Sequence, residues 1–187
     1  MNKRNWFFGL SICVLVLGVL LASCASTKDT WSDLNSLDQL NGTWVGSYNQ
    51  TMSMQEFVQG RSGEGWDDTD EVIYGKDMKV TESVEVTQTV DAGAGTVSLV
   101  KEGVTGFSGG QTKSAWEYIK FAMGSGSGVS VNDSKHSITI TQAGSLHEED
   151  IETMLSSGLQ INQNGKKIKY PAGSVEPGSP EVVLQKK

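Results

Sequence analysis

The first 23 residues constrain the chain most, because they have the layout of a secretory signal and so fall outside any folded domain. Met1 to Arg4 include two basic side chains, the run from Trp6 to Ala22 carries no charge, and small residues follow at its end. This layout is typical of a signal peptide. An ordinary transmembrane helix is the alternative, but the run of 17 residues lies at the lower limit for a membrane span.

The residue after this segment makes the prediction more specific. Leu21-Ala22-Ser23-Cys24 resembles the lipobox of bacterial lipoproteins, in which the cysteine sulfur is acylated and the chain is cut just before it. The resemblance implies that acyl chains such as palmitate on Cys24 hold the mature chain on a membrane, and that residues 24–30 form a lipidated tether. Ala25, in place of an aspartate, implies the outer membrane of the cell envelope, on its periplasmic or surface face.

Charge and cysteine content limit what the mature chain can do. Without Lys3 and Arg4 it keeps 13 of its 15 basic residues against 22 acidic ones, a net charge of −9. Such a chain repels phosphates, so we expect no nucleic-acid partner. Its two cysteines are Cys13, in the signal segment, and Cys24, the proposed lipid site. The domain therefore needs a hydrophobic core rather than disulfides for its stability.

Alternating apolar residues predict an antiparallel β domain over residues 31–170. The clearest strand runs from Met78 to Val90, where apolar and polar side chains follow a period of two. Asn164-Gly165 is the preferred loop of a type I′ hairpin. Two hairpins then pair Val129 and Val131 with Ile138 and Ile140, and Ile161 with Ile168.

Five other segments complete the prediction. Residues 31–40 fit a short helix or 3₁₀ segment, and Met52 to Val58 a strand. Ala115 to Met123 fits both a strand and a helix, and we favour the strand. Ser145 to Gly158 has a capping box and a glycine stop, which predict one late short α-helix. Residues 171–187, rich in glycine and proline at their start, predict a disordered tail.

The start of the domain resembles a known family. A short apolar helix followed by Gly42 and Trp44 at the head of the first strand is similar to the opening of a lipocalin-like (calycin) β-barrel. The resemblance implies a mainly β chain whose antiparallel meander closes into a barrel, after an N-terminal signal helix. A two-sheet sandwich is the alternative.

The sequence contains no constellation typical of catalysis or of metal binding, so we expect neither an enzyme nor a cofactor. The barrel resemblance implies a lumen that binds a small apolar ligand. Tyr48, Trp66 and Trp116 are the aromatic residues that we expect to contact it, and ordinary core packing is the alternative for each. The alternative function is a non-enzymatic interaction lipoprotein with a filled core.

Overall fold

The computed structural model describes residues 29–62, 64–176 and 178–187, and its folded unit runs from Trp31 to Lys187. The predicted signal helix, the lipidation site at Cys24 and most of the tether lie outside the described residues.

One antiparallel sheet of nine strands forms the frame of the folded unit, which confirms the mainly β prediction. The strands are β1 (Trp31–Asp33), β2 (Gly42–Ser53), β3 (Lys79–Asp91), β4 (Thr96–Ser108), β5 (Val129–Asn132), β6 (Ser137–Ser145), β7 (Gln160–Asn162), β8 (Lys167–Tyr170) and β9 (Val182–Lys186). Their order in the sheet is β1-β7-β8-β9-β2-β3-β4-β6-β5.

The prediction of a closed barrel is wrong, because the sheet is open. Among the described residues β1 pairs with β7 alone and β5 with β6 alone, so these two strands are edges. Helices and loops pack on the core face of the sheet, which buries its apolar side chains without closure. The edge strands have only three and four residues, which limits the unpaired backbone that an open sheet exposes.

The C-terminal segment corrects the predicted tail and the predicted meander. Residues 182–186 form β9, which lies between β8 and β2 near the middle of the sheet. Val182 and Leu184 are buried and pair with Tyr170 and Ile168 of β8. At Gly46 of β2 an added Cβ would lie 2.5 Å from a backbone oxygen of β9, so this close approach requires glycine.

Four α-helices and a 3₁₀ helix occur in the described part of the chain. The 3₁₀ helix is Leu37–Leu40, and the α-helices are α1 (Met54–Phe57, continued by a π turn at Val58–Ser62), α2 (Asp68–Tyr74), α3 (Thr112–Met123) and α4 (Glu148–Ser156). The 3₁₀ helix confirms part of the prediction for residues 31–40, whose first residues instead form β1. Leu40 at its end accepts a 2.6 Å hydrogen bond from the buried Trp44 Nε1.

Two of these helices replace predicted strands. At α1, the Ser53 hydroxyl accepts a hydrogen bond from the Glu56 N–H, and the Glu56 carboxylate accepts one from the Ser53 N–H. This capping box favours a helix where the sequence analysis has a strand. In α3, Ala115, Trp116 and Ile119 are all buried, the spacing of one helix face rather than of a strand.

The late helix α4 is confirmed, although its cap differs. It begins after His147, whose N–H donates to Asp150 at 2.9 Å, and not after Ser145.

The predicted registers are confirmed. Every even-numbered residue from Val80 to Val90 is buried, and both hairpins pair as expected. The second turn is of another type, since Gly165 has a positive φ of 68° but Asn164 does not. The loop between β7 and β8 is therefore not the predicted type I′ turn, although Ile161 and Ile168 pair in the predicted register.

The core face of the sheet carries two separate apolar clusters. One, which we call the cavity side, surrounds Trp44 and includes side chains of β2, β3, β7, β8 and β9. The other, the filled side, surrounds Phe57 and Trp116 and is packed by α1, α2 and α3. Polar residues of β2, β3 and β4 lie between the two.

Candidate ligand-binding site

A cavity of about 330 Å³ opens on the cavity side of the sheet. Most of its wall is aliphatic, and the lining residues come from β3, β4, β6, β8, β9, α4 and the loop after β8. The aliphatic residues are Val86, Val97, Leu99, Ala143, Met154, Val175 and Leu184. No lysine, arginine, histidine or carboxylate lines it among the described residues. Its volume and lining are typical of a site for a small apolar molecule.

The sheet register explains how the chain builds this cavity. Gln88 of β3 lies opposite Leu99 of β4, and Val86 lies opposite Lys101, so alternate residues of both strands face the same side. Gln142 of β6 lies opposite Leu99 and extends the floor toward the solvent. Met154 of α4 and Val175 of the loop close the other side.

Two neutral polar side chains meet in the cavity wall. The Tyr170 hydroxyl of β8 donates a hydrogen bond to Gln88 Oε1 of β3. Burial raises the pKa of Tyr170 to about 12, because an apolar surrounding disfavours the phenolate. At neutral pH the pair therefore carries no charge, and it gives the cavity a polar end without an ion.

A polar seam separates this site from the filled side of the core. Gln50 Nε2 donates to Glu82 Oε2 at 2.5 Å and to Glu176 Oε1 at 2.8 Å. Lys101 Nζ lies 3.7 Å from Glu176 Oε2. Glu176 follows Val175 in the loop over the cavity, so the seam fastens that loop to the sheet.

A second, much smaller cavity of about 20 Å³ adjoins the seam and is lined in part by Glu82, Lys101 and Glu176. That volume is enough for about one water molecule. Glu82 and Glu176 therefore have no room beside them for a substrate, and they are held by the hydrogen bonds from Gln50 and by the ion pair with Lys101.

The three residues predicted to contact a ligand do not line the cavity. Tyr48 is buried in the core of the cavity side, on β2. Trp66 packs its ring at 5.8 Å from that of Tyr74, against the filled side. Trp116 of α3 is 4 % exposed and donates from Nε1 to Asp133 at 2.8 Å. The structure thus places all three in packing positions and brings none of them to the cavity wall.

The residues that do line the cavity are not among those predicted from the sequence. Tyr170 and Gln88 both lie on predicted strands, but they are 82 positions apart, and only the insertion of β9 between β8 and β2 sets the distance between them. One local signal was present. Gln88 interrupts the apolar side of the Met78–Val90 pattern, and a polar residue at a core position calls for a partner.

The helices in the described part of the chain are all too short or too polar to span a membrane. Within the same residues, no group of three or more metal-ligating side chains converges. Comparison with protein-family models, curated proteins and solved structures gives no match.

Proposed function

We propose that this chain is a lipid-anchored, non-enzymatic protein of the cell envelope that binds a small apolar ligand in the cavity of about 330 Å³. That cavity is the observation that carries the proposal. Ligand sites typically measure roughly 300–1,000 Å³ and combine apolar walls with a few polar groups. A core whose only role is packing would be filled to native density and would leave no cavity of this size.

The site fits a carrier better than an enzyme. Its polar groups are the amide of Gln88, the hydroxyl of Tyr170 and the rim residues Gln142 and Ser174. None of these groups is a general base near neutral pH, because amides are not basic and burial raises the pKa of Tyr170 to about 12. The Ser174 hydroxyl donates to the Pro171 carbonyl and not to a base that would activate it as a nucleophile. Binding and release of an unchanged ligand is the chemistry that such a set supports.

A probe titration tests the binding proposal. The mature chain is titrated with N-phenyl-1-naphthylamine, an uncharged dye whose fluorescence rises in apolar surroundings. We expect saturable uptake of one dye per chain. Native mass spectrometry of protein purified from its own cells is expected to show an added mass that organic extraction removes. Uptake that never saturates would contradict the proposal.

The anchor is tested separately at Cys24. The motif Leu21-Ala22-Ser23-Cys24 supports acylation of this cysteine. Cys24→Ser is expected to abolish the incorporation of labelled palmitate and to move the chain from the outer-membrane fraction to the soluble fraction. Incorporation that survives Cys24→Ser would contradict the anchor but would leave the binding proposal intact.

A non-enzymatic interaction lipoprotein is the second candidate. The observation that favours it is a set of exposed apolar side chains on two helices, with Val72 of α2 82 % exposed and Phe121 of α3 78 % exposed. A photo-crosslinking residue at position 121 is expected to trap one specific protein in intact cells if this function holds. The absence of such an adduct, together with saturable dye uptake, would decide for the ligand carrier.

A further inference from the structure

The amide of Gln88 is the most informative polar group in the cavity wall. Gln88 is only 4 % exposed, yet it lines the cavity. Its Oε1 is occupied, because it accepts the Tyr170 hydroxyl hydrogen. Its Nε2 has no hydrogen-bond acceptor among the described residues. Nε2 is also not among the side-chain atoms that are both unpartnered and fully enclosed by protein. It therefore faces the space of the cavity.

A buried donor without an acceptor raises the free energy of the protein. A ligand that supplies the missing acceptor removes this penalty, so the donor indicates what the ligand must carry. Leaving such a group unpaired costs far more than a hydrogen bond gains on average. An amide N–H₂ is a pure donor, so the complementary ligand group is an oxygen that accepts. Water can fill this role while the cavity is solvated, and a bound ligand must then replace that water with an acceptor of its own.

Tyr170 fixes the direction of this donor. Its hydroxyl holds Gln88 Oε1, which leaves Nε2 turned to the cavity. The pair therefore presents one neutral donor group, the Nε2 amide of Gln88, to a ligand.

The charge of the ligand follows from the rest of the wall. No cationic side chain lines the cavity among the described residues, and the chain as a whole is acidic. Lys101 of β4 lies opposite Val86, which lines the cavity, but its Nζ pairs with Glu176 in the seam. A carboxylate in this cavity would be desolvated without a counter-ion, which is strongly unfavourable.

We infer that the ligand is an uncharged molecule with an apolar body and one carbonyl or ester oxygen, and that this oxygen accepts a hydrogen bond from the Gln88–Tyr170 pair. The inference rests on the proposed function and deepens it, since it names the chemical class that the cavity selects. The aliphatic walls hold the body of the molecule, and the pair holds its oxygen.

Three ligands with ten carbons each separate the effects of the apolar body, the carbonyl oxygen and the charge on affinity. 2-Decanone carries a neutral carbonyl, decane carries no oxygen, and decanoate carries a charge at pH 7. Each is measured by its displacement of bound N-phenyl-1-naphthylamine from the mature chain. Decanoate is expected to bind at least about tenfold more weakly than 2-decanone, because its charge finds no partner. Decanoate that binds more tightly than the ketone would overturn the inference.

A double variant removes both polar groups together. Gln88→Met with Tyr170→Phe keeps the shape of the wall and leaves no unpaired partner behind, so its folding is expected to be near that of the native chain. The double variant should bind 2-decanone about tenfold more weakly than the native chain and should bind decane with unchanged affinity. Tyr118→Phe removes a tyrosine hydroxyl on the filled side instead and is the matched control, with ketone affinity within a factor of about three.

The carbonyl stretching frequency of ¹³C-labelled 2-decanone reports directly on a hydrogen bond to its oxygen. It would not change if the Gln88–Tyr170 pair only stabilised the fold. The band is expected at a lower wavenumber in the native protein than in hexane, and at its hexane position in the double variant. An unshifted band in the native protein, or a ketone-to-decane affinity ratio that the double variant leaves unchanged, would overturn the inference. If neither decane nor the ketone binds, the proposed function itself fails, which distinguishes the two failures.

Discussion

The two sides of the core differ in what fills them. On the filled side, α1 and α3 press large side chains such as Phe57, Trp116 and Ile119 against the sheet until little space remains. On the cavity side, the cover consists of the 3₁₀ helix, the short helix α4 and the loop after β8, and space for a ligand remains below them. Packed helices therefore fill the space above one half of the sheet, whereas the cover of loop, 3₁₀ helix and α4 leaves a cavity above the other.

The comparison also explains where the aromatic residues lie. Trp66, Tyr74, Trp116 and Tyr118 pack on or against the filled side, where large rings close the gaps between helices and sheet. The cavity is lined mainly by aliphatic residues, with one neutral polar pair in its wall and two polar residues at its rim. Trp44 and Tyr48 of the cavity side also pack in the core without lining the cavity, so an aromatic cluster does not mark the cavity in this fold.

Removing β9 should break the cavity side most severely. A chain that ends at Pro180 loses the strand between β8 and β2, together with the buried side chains of Val182 and Leu184. We expect it to lose cooperative thermal unfolding and to become prone to aggregation, because two inner strands become edges. Removal of Lys187 alone is the control and should have little effect. A truncated chain with an unchanged melting temperature would contradict the position of β9.

Substitutions on the filled side should lower the free energy of unfolding without changing dye affinity. Trp116→Ala removes a buried indole and its hydrogen bond to Asp133, so we expect a loss of about 3–5 kcal/mol in the free energy of unfolding. Chemical denaturation measures this loss, and Trp66→Ala, at a half-buried site on the same side, should cost clearly less. Dye affinity measured without denaturant should stay the same in both variants. A Trp116→Ala chain of native stability that no longer binds the dye would place the site on the filled side.

Alkaline pH should act on the cavity side through Tyr170. Its pKa is about 12 in the folded chain, above the usual value of 10, so the folded state holds this proton more tightly than the unfolded state. The stabilisation is complete below about pH 10 and is lost as the pH rises toward 12, by at most about 3 kcal/mol. Denaturation curves at a series of pH values should show this loss, and Tyr170→Phe should remove it. Equal pH dependence in the two proteins would show that the tyrosine ionises normally.

Filling the cavity should change binding far more than stability. Leu99→Trp places a larger side chain into free space, so we expect the free energy of unfolding to change by no more than about 1 kcal/mol. Dye affinity should fall at least about tenfold, because the same volume is no longer open to the ligand. Phe121→Trp, at an exposed position on α3, is the matched control for an added indole. If both variants bind the dye like the native chain, the cavity is not the binding site.

The sequence predicts the strands where local pattern and tertiary burial agree. β3 shows this best, because its period of two reflects one buried face along its whole length. The hairpin registers follow in the same way, since apolar pairs flank their turns. The sequence also predicts Trp44 near the start of a strand that follows a short helical segment, and the bond from Trp44 Nε1 to the Leu40 carbonyl joins the two elements.

The wrong predictions concern segments whose secondary structure depends on long-range contacts. The alternation at Ala115 to Met123 resembles a strand, but helical spacing buries three of its residues against the sheet. β9 consists of five residues after a glycine- and proline-rich loop, so its local pattern is too short to outweigh that loop. The cavity depends on the placement of β9, and for that reason no local pattern indicates which residues line it.

Methyl NMR of the methionines shows which side of the core a ligand enters, because methionines lie on both sides and report in one titration. Met154 lines the cavity, whereas Met54 and Met78 are buried on the filled side. The ¹³C-methyl spectrum of the mature chain is recorded while 2-decanone is added. We predict that the Met154 resonance moves to a saturating end point while those of Met54 and Met78 stay in place. A saturating shift at Met54 or Met78 with Met154 unmoved would contradict the assignment of the ligand site to the cavity side.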